Sequence, residues 1–585
     1  MIKIEERNNI FYLYSKLWAN LEKSSKLRIS YLFILMILVS CIEIVSIGSA
    51  IPFLSVLTNA NINDSRFINI IPIDIINTQG RDDLIILFSS IFGFLALLAG
   101  ISRLYLIWCL NHVAFLIGKF IGCKIYENTL IQDYQYHLNI NSSKVINALS
   151  NQTNLIVYNI VLPLLTLISS IIMMLIIIIG LYYIDPIVAI SSITGFGFLY
   201  LIVIKFSKKI SIESSRTIAI NSTQLVKIIQ ESLGGIRDII LNNTQDFYFR
   251  LYKKIDGPLR LAQSTNSFIS NFPRYAVEGI SMAMIAFFAF ILTKNSVGIS
   301  AAIPILGAFA FAAQRLMPIM QQGYSSYAQI RGEQYTFADA IELLDVNIPR
   351  VHLNPNVSNK FTIKNYLELR DISFSYAGTG NKLFNGINLF IPKGERLGII
   401  GETGSGKSTL LDIVMGLLKP DSGGLYLDGV RINHSNYPNW RANISHVPQY
   451  IFLADSSIKE NIALGVAVDD IDMNLLVSVC QQARIHEFIL SLPDKYDSFV
   501  GERGVRLSGG QKQRIGIARA LYKKPSLIIF DEATSALDMS TESEVMDSIY
   551  SLNSDLTVFI VTHRLDTLKK CDVIYSLKNK KIIKI

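Results

Sequence analysis

Gly401-Glu402-Thr403-Gly404-Ser405-Gly406-Lys407-Ser408 follows the short apolar run Arg396 to Ile400 and precedes the helix-compatible stretch Thr409 to Leu418. The octet fits G-x-x-x-x-G-K-[ST] in the strand, loop and helix setting that this motif needs. Its glycines let backbone N–H groups close around phosphate oxygens with no Cβ in the way, and the helix N-terminus adds a field that favours an anion. Lys407 then reaches the β- and γ-phosphates of a nucleotide, and the Ser408 hydroxyl ligates magnesium. A glycine-rich turn without function is the alternative, and the flanking strand and helix argue against it.

Downstream, Leu527-Ile528-Ile529-Phe530-Asp531-Glu532 reads as a buried strand ending in two carboxylates. Asp531 is placed to hold the magnesium through water, and Glu532 to polarise the attacking water as general base. Alone, such a pair could cap a helix; the phosphate loop upstream favours the catalytic reading. Between these elements lies Leu507-Ser508-Gly509-Gly510-Gln511, a serine and a glycine-rich turn ahead of a helix, which makes a second anion site much like the first. With these three motifs in this order, the chain resembles an ATP-binding cassette (ABC) transporter.

The resemblance implies that Ser508 and Gly510, with Gly509 and Gln511 beside them, meet the γ-phosphate of ATP held by an opposite cassette. It implies ATP and Mg2+ as cofactors, a nucleotide set running from Gly401 through Ser408 to Thr409, and Ser408, Gln449 and Asp531 as metal ligands. Gln449, in Val447-Pro448-Gln449, resembles the glutamine that senses magnesium and the membrane domain. His563, in Val561-Thr562-His563-Arg564, resembles the switch histidine near the γ-phosphate, so Glu532, His563 and Gln449 form the catalytic set. Tyr376 resembles the aromatic that stacks on adenine; on physics alone it is equally an ordinary strand aromatic. Gly501-Glu502-Arg503-Gly504 resembles the loop that touches a partner's coupling helix, and Ser535-Ala536-Leu537-Asp538 the loop across a dimer interface, with Asp538 at the nucleotide. Every position needed for hydrolysis carries a competent residue type, so an active ATPase is expected. One copy of each motif means that two chains are required; a homodimer with two equivalent sites is the simplest arrangement, and a heterodimer stays open.

Upstream the chain changes character. It has 585 residues, about four times the roughly 150-residue prior for one domain. Half of the residues are hydrophobic and 17% are charged, well under the roughly 25% of soluble domains, and mean hydropathy is +0.38. Disorder and fibrous repeats are excluded and a membrane protein is favoured. Apolar stretches at about 29–58, 84–117, 155–184, 186–204, 272–293 and 297–320 are long enough to cross a bilayer. Lys23, Lys26 and Arg28 before the first stretch, and Lys205, Lys208 and Lys209 after the fourth, put the N-terminus inside. The expected fold class is multidomain: a six-helix transmembrane α-helical domain (1–335), a linker (336–365), and an α/β P-loop ATPase domain with a helical subdomain (366–585). The whole is the arrangement of a half-size exporter of the type IV fold. The expected location is the inner (plasma) membrane, multi-pass, with both termini and the cassette cytoplasmic. Asn141 to Leu149 and Glu231 to Asn242, the latter containing Gly234-Gly235-Ile236-Arg237, occupy the places of the short coupling helices.

Net charge is +8 and pI about 8.9, which could mark a nucleic-acid footprint or basic loops on an anionic leaflet. Six apolar spans and the absence of coiled-coil arms leave a cassette ATPase acting on nucleic acid as the remote reading, and no nucleic-acid partner is expected. Five scattered cysteines without a C-x-x-C pair suggest neither a disulfide framework nor zinc.

Cargo is sought among ionisable residues at membrane depth, which are costly unless paired or facing water. Arg103, Arg274 and Arg315 on three spans could line a cavity for an anionic group, since guanidinium matches phosphate bidentately. Pairing of these arginines with Glu43 and Glu278 to fix helix packing is the alternative. The tracts Phe272 to Gly279 and Arg315-Leu316-Met317-Pro318 are similar to those of lipid-linked oligosaccharide flippases of the PglK type. That similarity implies a lipid-linked glycan as substrate partner, and the bilayer and a second copy of the chain as the others; export of peptides or amphipathic drugs is the competing expectation.

Overall fold

The computed structural model describes residues 9–58, 81–184, 186–294, 299–345, 361–376, 382–402, 404–433, 436–532, 539–550, 555–562 and 568–585. Two compact units emerge: one of residues 1–132 and 140–348, the other of 133–139 and 349–585.

The first unit is helical. In chain order it contains α1 (Ile10–Asn20), α2 (Lys23–Thr58) and α3 (Arg81–Ile131), while α4 (Tyr134–Asn139) belongs to the second unit. Then come α5 (Ser142–Asn147), α6 (Thr153–Ile156) and α7 (Leu162–Ile184), joined by π-helical turns at Ala148–Gln152 and Val157–Val161. The remainder is α8 (Pro186–Gly234), α9 (Ile236–Leu241), α10 (Gln245–Lys294), α11 (Ile299–Gly332) and α12 (Gln334–Leu344). Helices of 49 and 50 residues run about 75 Å at 1.5 Å per residue, more than twice the roughly 30 Å hydrocarbon core. The polar sequence of the inner loops is therefore used as helical extension. Among the described residues, Lys23–Ser49, Asp82–Ile131 and Ser142–Gly180 are long and apolar enough to cross a membrane. The expected spans at 186–204 and 272–293 lie on α8 and α10, and the described part of that at 297–320 lies on α11.

One core joins α1, α2, α3, α7, the inner end of α11 and α12, with Leu13, Leu32, Ile125, Ile160 and Phe337 fully enclosed. A smaller one binds α8, α10 and α11 through Tyr200, Ile269, Val277 and Tyr324. There the Tyr324 hydroxyl donates to Ser207 Oγ at 3.2 Å, and Gln321 Nε2 donates to the Ser270 carbonyl at 3.0 Å. The expected linker at 336–365 starts too early. Residues 336–344 lie in α12, whose Phe337, Ala338, Ile341 and Leu344 recur at helical spacing and are buried in the first unit. Ile348 to Lys360 lies outside the described residues.

The second unit is layered. An antiparallel sheet has the order β2-β1-β4-β5, from β1 (Tyr366–Phe374), β2 (Phe384–Pro392), β4 (Ser422–Leu427) and β5 (Val430–Arg431). The other sheet has β3 (Arg396–Gly401), β6 (Ile444–Val447), β7 (Leu527–Asp531), β8 (Thr557–Val561), β9 (Val573–Lys578) and β10 (Lys581–Lys584) in the order β10-β9-β3-β8-β7-β6. It is parallel except for the β9-β10 hairpin. Alternation of side chains sorts its two faces. Leu527, Ile529, Phe559 and Val561 join the core under the antiparallel sheet and α13 (Lys407–Val414). Ile528, Phe530, Val558 and Ile560 join the core of the helical part. That part consists of α15 (Ile458–Ile462), α16 (Met473–Gln482), α17 (His486–Ser491) and α18 (Gly509–Tyr522), after the short α14 (Tyr437–Arg441); α19 (Met539–Tyr550) follows β7.

Candidate functional site

The phosphate loop is a turn that only these residues allow. Gly404 has φ +82° and Gly406 φ +102°, both left-handed, and a Cβ on Gly406 would stand 2.8 Å from the Phe384 ring. Gly406 caps the N-terminus of α13, so the helix starts at Lys407 and points its first N–H groups at the loop. Lys407 is only 8% exposed, and its ammonium donates to the carbonyls of Gly401 (2.7 Å) and Glu402 (3.0 Å) across the loop. Burial lowers its pKa, against the nearby charges of Glu532 and Asp531, which hold it up. Ser405 Oγ is buried with no hydrogen-bond partner, an orphaned group in the loop wall. Thr403 lies outside the described residues.

The two carboxylates stand where the strand tip was expected. Asp531 ends β7 and accepts a hydrogen bond from the Ser408 side chain. Its pKa is raised, first by burial and then by the charge of Glu532. Glu532 has φ +50°, a left-handed conformation uncommon outside glycine, and its N–H donates to the Val561 carbonyl at 2.9 Å. Gln449 Nε2 donates to Glu532 Oε2 at 3.0 Å. Ser408, Asp531, Glu532 and Gln449 are thus brought together, a hydroxyl, two carboxylates and an amide oxygen. This hard-oxygen donor set suits Mg2+ on a nucleotide phosphate, and the orphaned Ser405 hydroxyl and glycine-walled loop suit the phosphates.

Tyr376 lies two residues beyond the end of β1, not on it. Its hydroxyl meets Thr409 Oγ1 at 2.9 Å and its ring stands edge-on to Phe374, with 39% of the residue exposed. Ser508 is the N-cap of α18: its Oγ accepts from Gln511 N (3.3 Å), while Gln511 Oε1 accepts from Ser508 N (2.8 Å). This capping box fixes an exposed helix start whose first residues are Gly509 and Gly510. Gly501 (φ +75°) and Arg503 (φ +52°) build the tight turn ahead of it. Asp538 and His563 lie outside the described residues.

Asp412 is an unforeseen member of the site. It follows Ser408 by one helical turn on α13, and burial, then the charge of Asp531, push it up to about 6. The i, i+4 spacing from Ser408 was the available signal. Within the same unit, burial also raises the Tyr134 phenol on α4, with the charges of Asp412 and Tyr376 as lesser causes. The expected coupling segment Asn141 to Leu149 folds as α5 in the first unit, so the short inner helix grouped with the cassette is α4. Glu231 to Asn242 contains the expected short helix as α9.

Of the arginines, Arg103 on α3 is half-buried and Arg274 on α10 is exposed; for Arg315 only the course of α11 is described. Glu43 is buried at 2% exposure on α2. Nothing among the described contacts brings Arg103 and Arg274 together.

Family profiles account for both units. The profile described as ABC transporter transmembrane region matches residues 29–312, and that described as ABC transporter matches residues 384–535. ABC transporter B family member 2 of Dictyostelium discoideum is 41% identical over 225 residues, 38% of this chain and 16% of that one. ABC multidrug transporter MDR2 of Trichophyton interdigitale is 36% identical over 248 residues, 42% of this chain and 19% of that one. YknU, an uncharacterized ABC transporter ATP-binding protein of Bacillus subtilis, is 28% identical over 399 residues, 67% of this chain and 66% of that one. The chain therefore spans less than two thirds of the length of these relatives. A bacterial Atm1-family ABC exporter solved with ATP bound superposes with a TM-score of 0.77 at 20% identity, over 95% of this chain and 94% of that one, a likeness of fold. With a transmembrane region and a cassette in one polypeptide, the chain belongs to the ABC transporters.

Proposed function

We propose that the chain is an ATP-driven exporter or flippase of the plasma membrane that works as a homodimer with two equivalent nucleotide sites, its termini and cassette cytoplasmic. The observation that supports this most is the convergence of Ser408, Asp531, Glu532 and Gln449 beside the phosphate loop. On nucleotide binding, Lys407 exchanges its two carbonyl partners for the β- and γ-phosphate oxygens. Mg2+ held by Ser408, Asp531 and Gln449 would neutralise charge on those oxygens. Glu532 takes the proton of the attacking water, and His563 holds the γ-phosphate end. Tyr376 stacks on the adenine, and Asp538 lies at the dimer junction. The capped N-terminus of α18 meets the γ-phosphate of the opposite chain. Closure of the pair on ATP turns the spans outward. A full swing of such an equilibrium needs about 10⁴-fold tighter binding to the closed state.

The cargo we propose is an amphiphile with an anionic head, a lipid-linked oligosaccharide being the instance that Arg103, Arg274 and Arg315 suit by bidentate pairing with pyrophosphate. Export of amphipathic drugs is the second reading, favoured by the multidrug name of the Trichophyton relative. The deciding experiment reconstitutes the chain in liposomes and measures ATPase stimulation and translocation for lipid-linked glycans, peptides and drugs. Alanine at each arginine should abolish glycolipid flipping while basal ATPase persists, and lysine should rescue only in part. Stimulation by drugs alone, or full transport by the triple variant, replaces the glycolipid with the drug reading.

A further inference from the structure

A cavity of about 690 Å³ lies in the first unit between α1, the start of α2, and α3 and α7. Its floor is closed by Leu17, Ile117 and Leu165, at 5%, 2% and 4% exposure, and its rim is open at Trp18, Phe33 and Ile34, at 47%, 42% and 59%. The lining is aliphatic and aromatic apart from the hydroxyls of Tyr14, Ser15 and Ser30. From Lys26 to Ile34 the helix rises about 12 Å, the thickness of one hydrocarbon leaflet or slightly less. The groove therefore occupies the cytoplasmic leaflet by the orientation of the basic loops. Its polar end carries cations: Lys23 and Lys26, three residues apart on the groove side of the first turn of α2, with Glu22 beside them and Asp345 bound to Lys16 and Asn20 of α1. Lys26 Nζ stands 5.6 Å from the centre of the Trp18 ring on the rim. Indole at the mouth, cations just above and an apolar slot below match one molecule from head to tail.

We propose that this groove is a resident site for an anionic phospholipid of the cytoplasmic leaflet, its acyl chain between α1 and α7 and its phosphate on Lys23 and Lys26. Charge decides the occupant: any acyl chain would fill the slot, and an anionic headgroup answers the local excess of cations. Occupancy would tie the amphipathic α1, whose Leu13 and Leu17 belong to the main helical core, to the entrance of the first span. This site is independent of the cargo proposed above, and its test involves no transport.

Trp18 supplies the readout, because the sequence holds three tryptophans and Trp440 is buried in the cassette. With Trp108→Phe, Trp18 becomes the membrane domain's sole indole. Vesicles of phosphatidylcholine containing a minor fraction of chain-brominated phosphatidylglycerol should quench Trp18 more strongly than vesicles in which the same fraction of phosphatidylcholine is brominated. Each surface cation contributes about fivefold to such a preference. Lys23→Gln with Lys26→Gln should therefore reduce the preference by at least about tenfold, and charge reversal to Glu at both should invert it. Equal quenching by the two brominated lipids in the parent, or a preference unchanged in the Gln pair, overturns the proposal.

Discussion

Gln449 and Glu532 form a hydrogen bond of 3.0 Å because the sheet register makes them equivalent. β6 and β7 are parallel neighbours with Val447 opposite Phe530, and each of the two residues lies two positions beyond that pair. The left-handed turn at Glu532 and its N–H bond to Val561 then hold the carboxylate in place. Glu532→Gln should keep nucleotide binding and slow turnover by roughly 10²- to 10⁴-fold, the range for losing a general base. Phosphate release together with labelled-ATP retention measures both. Near-normal release would remove Glu532 from the role.

Lys407→Ala should weaken ATP binding itself, since the ammonium that bridges the Gly401 and Glu402 carbonyls is the point charge of the loop. A mixed dimer locates the opposing surface. With Lys407→Ala in one chain and Ser508→Ala in the other, a composite arrangement leaves one site doubly damaged and one intact. Two half-impaired sites in single-turnover measurements would mean that each cassette uses its own Ser508.

Asp412→Asn removes a buried like charge from beside Asp531. Its own ionisation, which burial and the charge of Asp531 push up to about 6, then drops out, so an acid limb of the ATPase pH profile set by Asp412 should move to lower pH. The magnitude at neutral pH should change less than the position of that limb. A limb that stays put, or moves up, contradicts the coupling.

Burial raises the pKa of Glu333, 7% exposed ahead of α12, to about 7, against the Thr336 hydroxyl that donates to it at 2.9 Å. The folded state thus favours the protonated acid, whereas the unfolded chain ionises near the ordinary value of 4.5. Stability from this group is present below the unfolded pKa and is lost as pH rises through the folded one. Glu333→Gln keeps the acceptor without the charge. It should stabilise the chain by roughly 3 kcal/mol at pH 8 and by almost nothing at pH 4, read as the shift in thermal unfolding at each pH. A shift of equal size at both would mean that packing, not ionisation, is responsible.

The parts of this protein that were legible in its sequence are those whose chemistry is local. A phosphate cradle is made by consecutive backbone N–H groups, so Gly401 to Ser408 announces itself, and so does the serine cap at Ser508. Apolar length alone marks the spans, because a bilayer requires it. A continuous apolar run marks β7, whose odd and even residues enter two different cores. What lies beyond depended on groups far apart in the chain. The antiparallel sheet over α13, the burial of α12 in the helical core, the grouping of α4 with the cassette and the pressure of Asp531 on Asp412 all arise from packing. So does the Gln449 bond to Glu532, between residues 83 positions apart. A sequence pattern carries the periodicity of one element, while desolvation and strand register are set by whatever else folds against it.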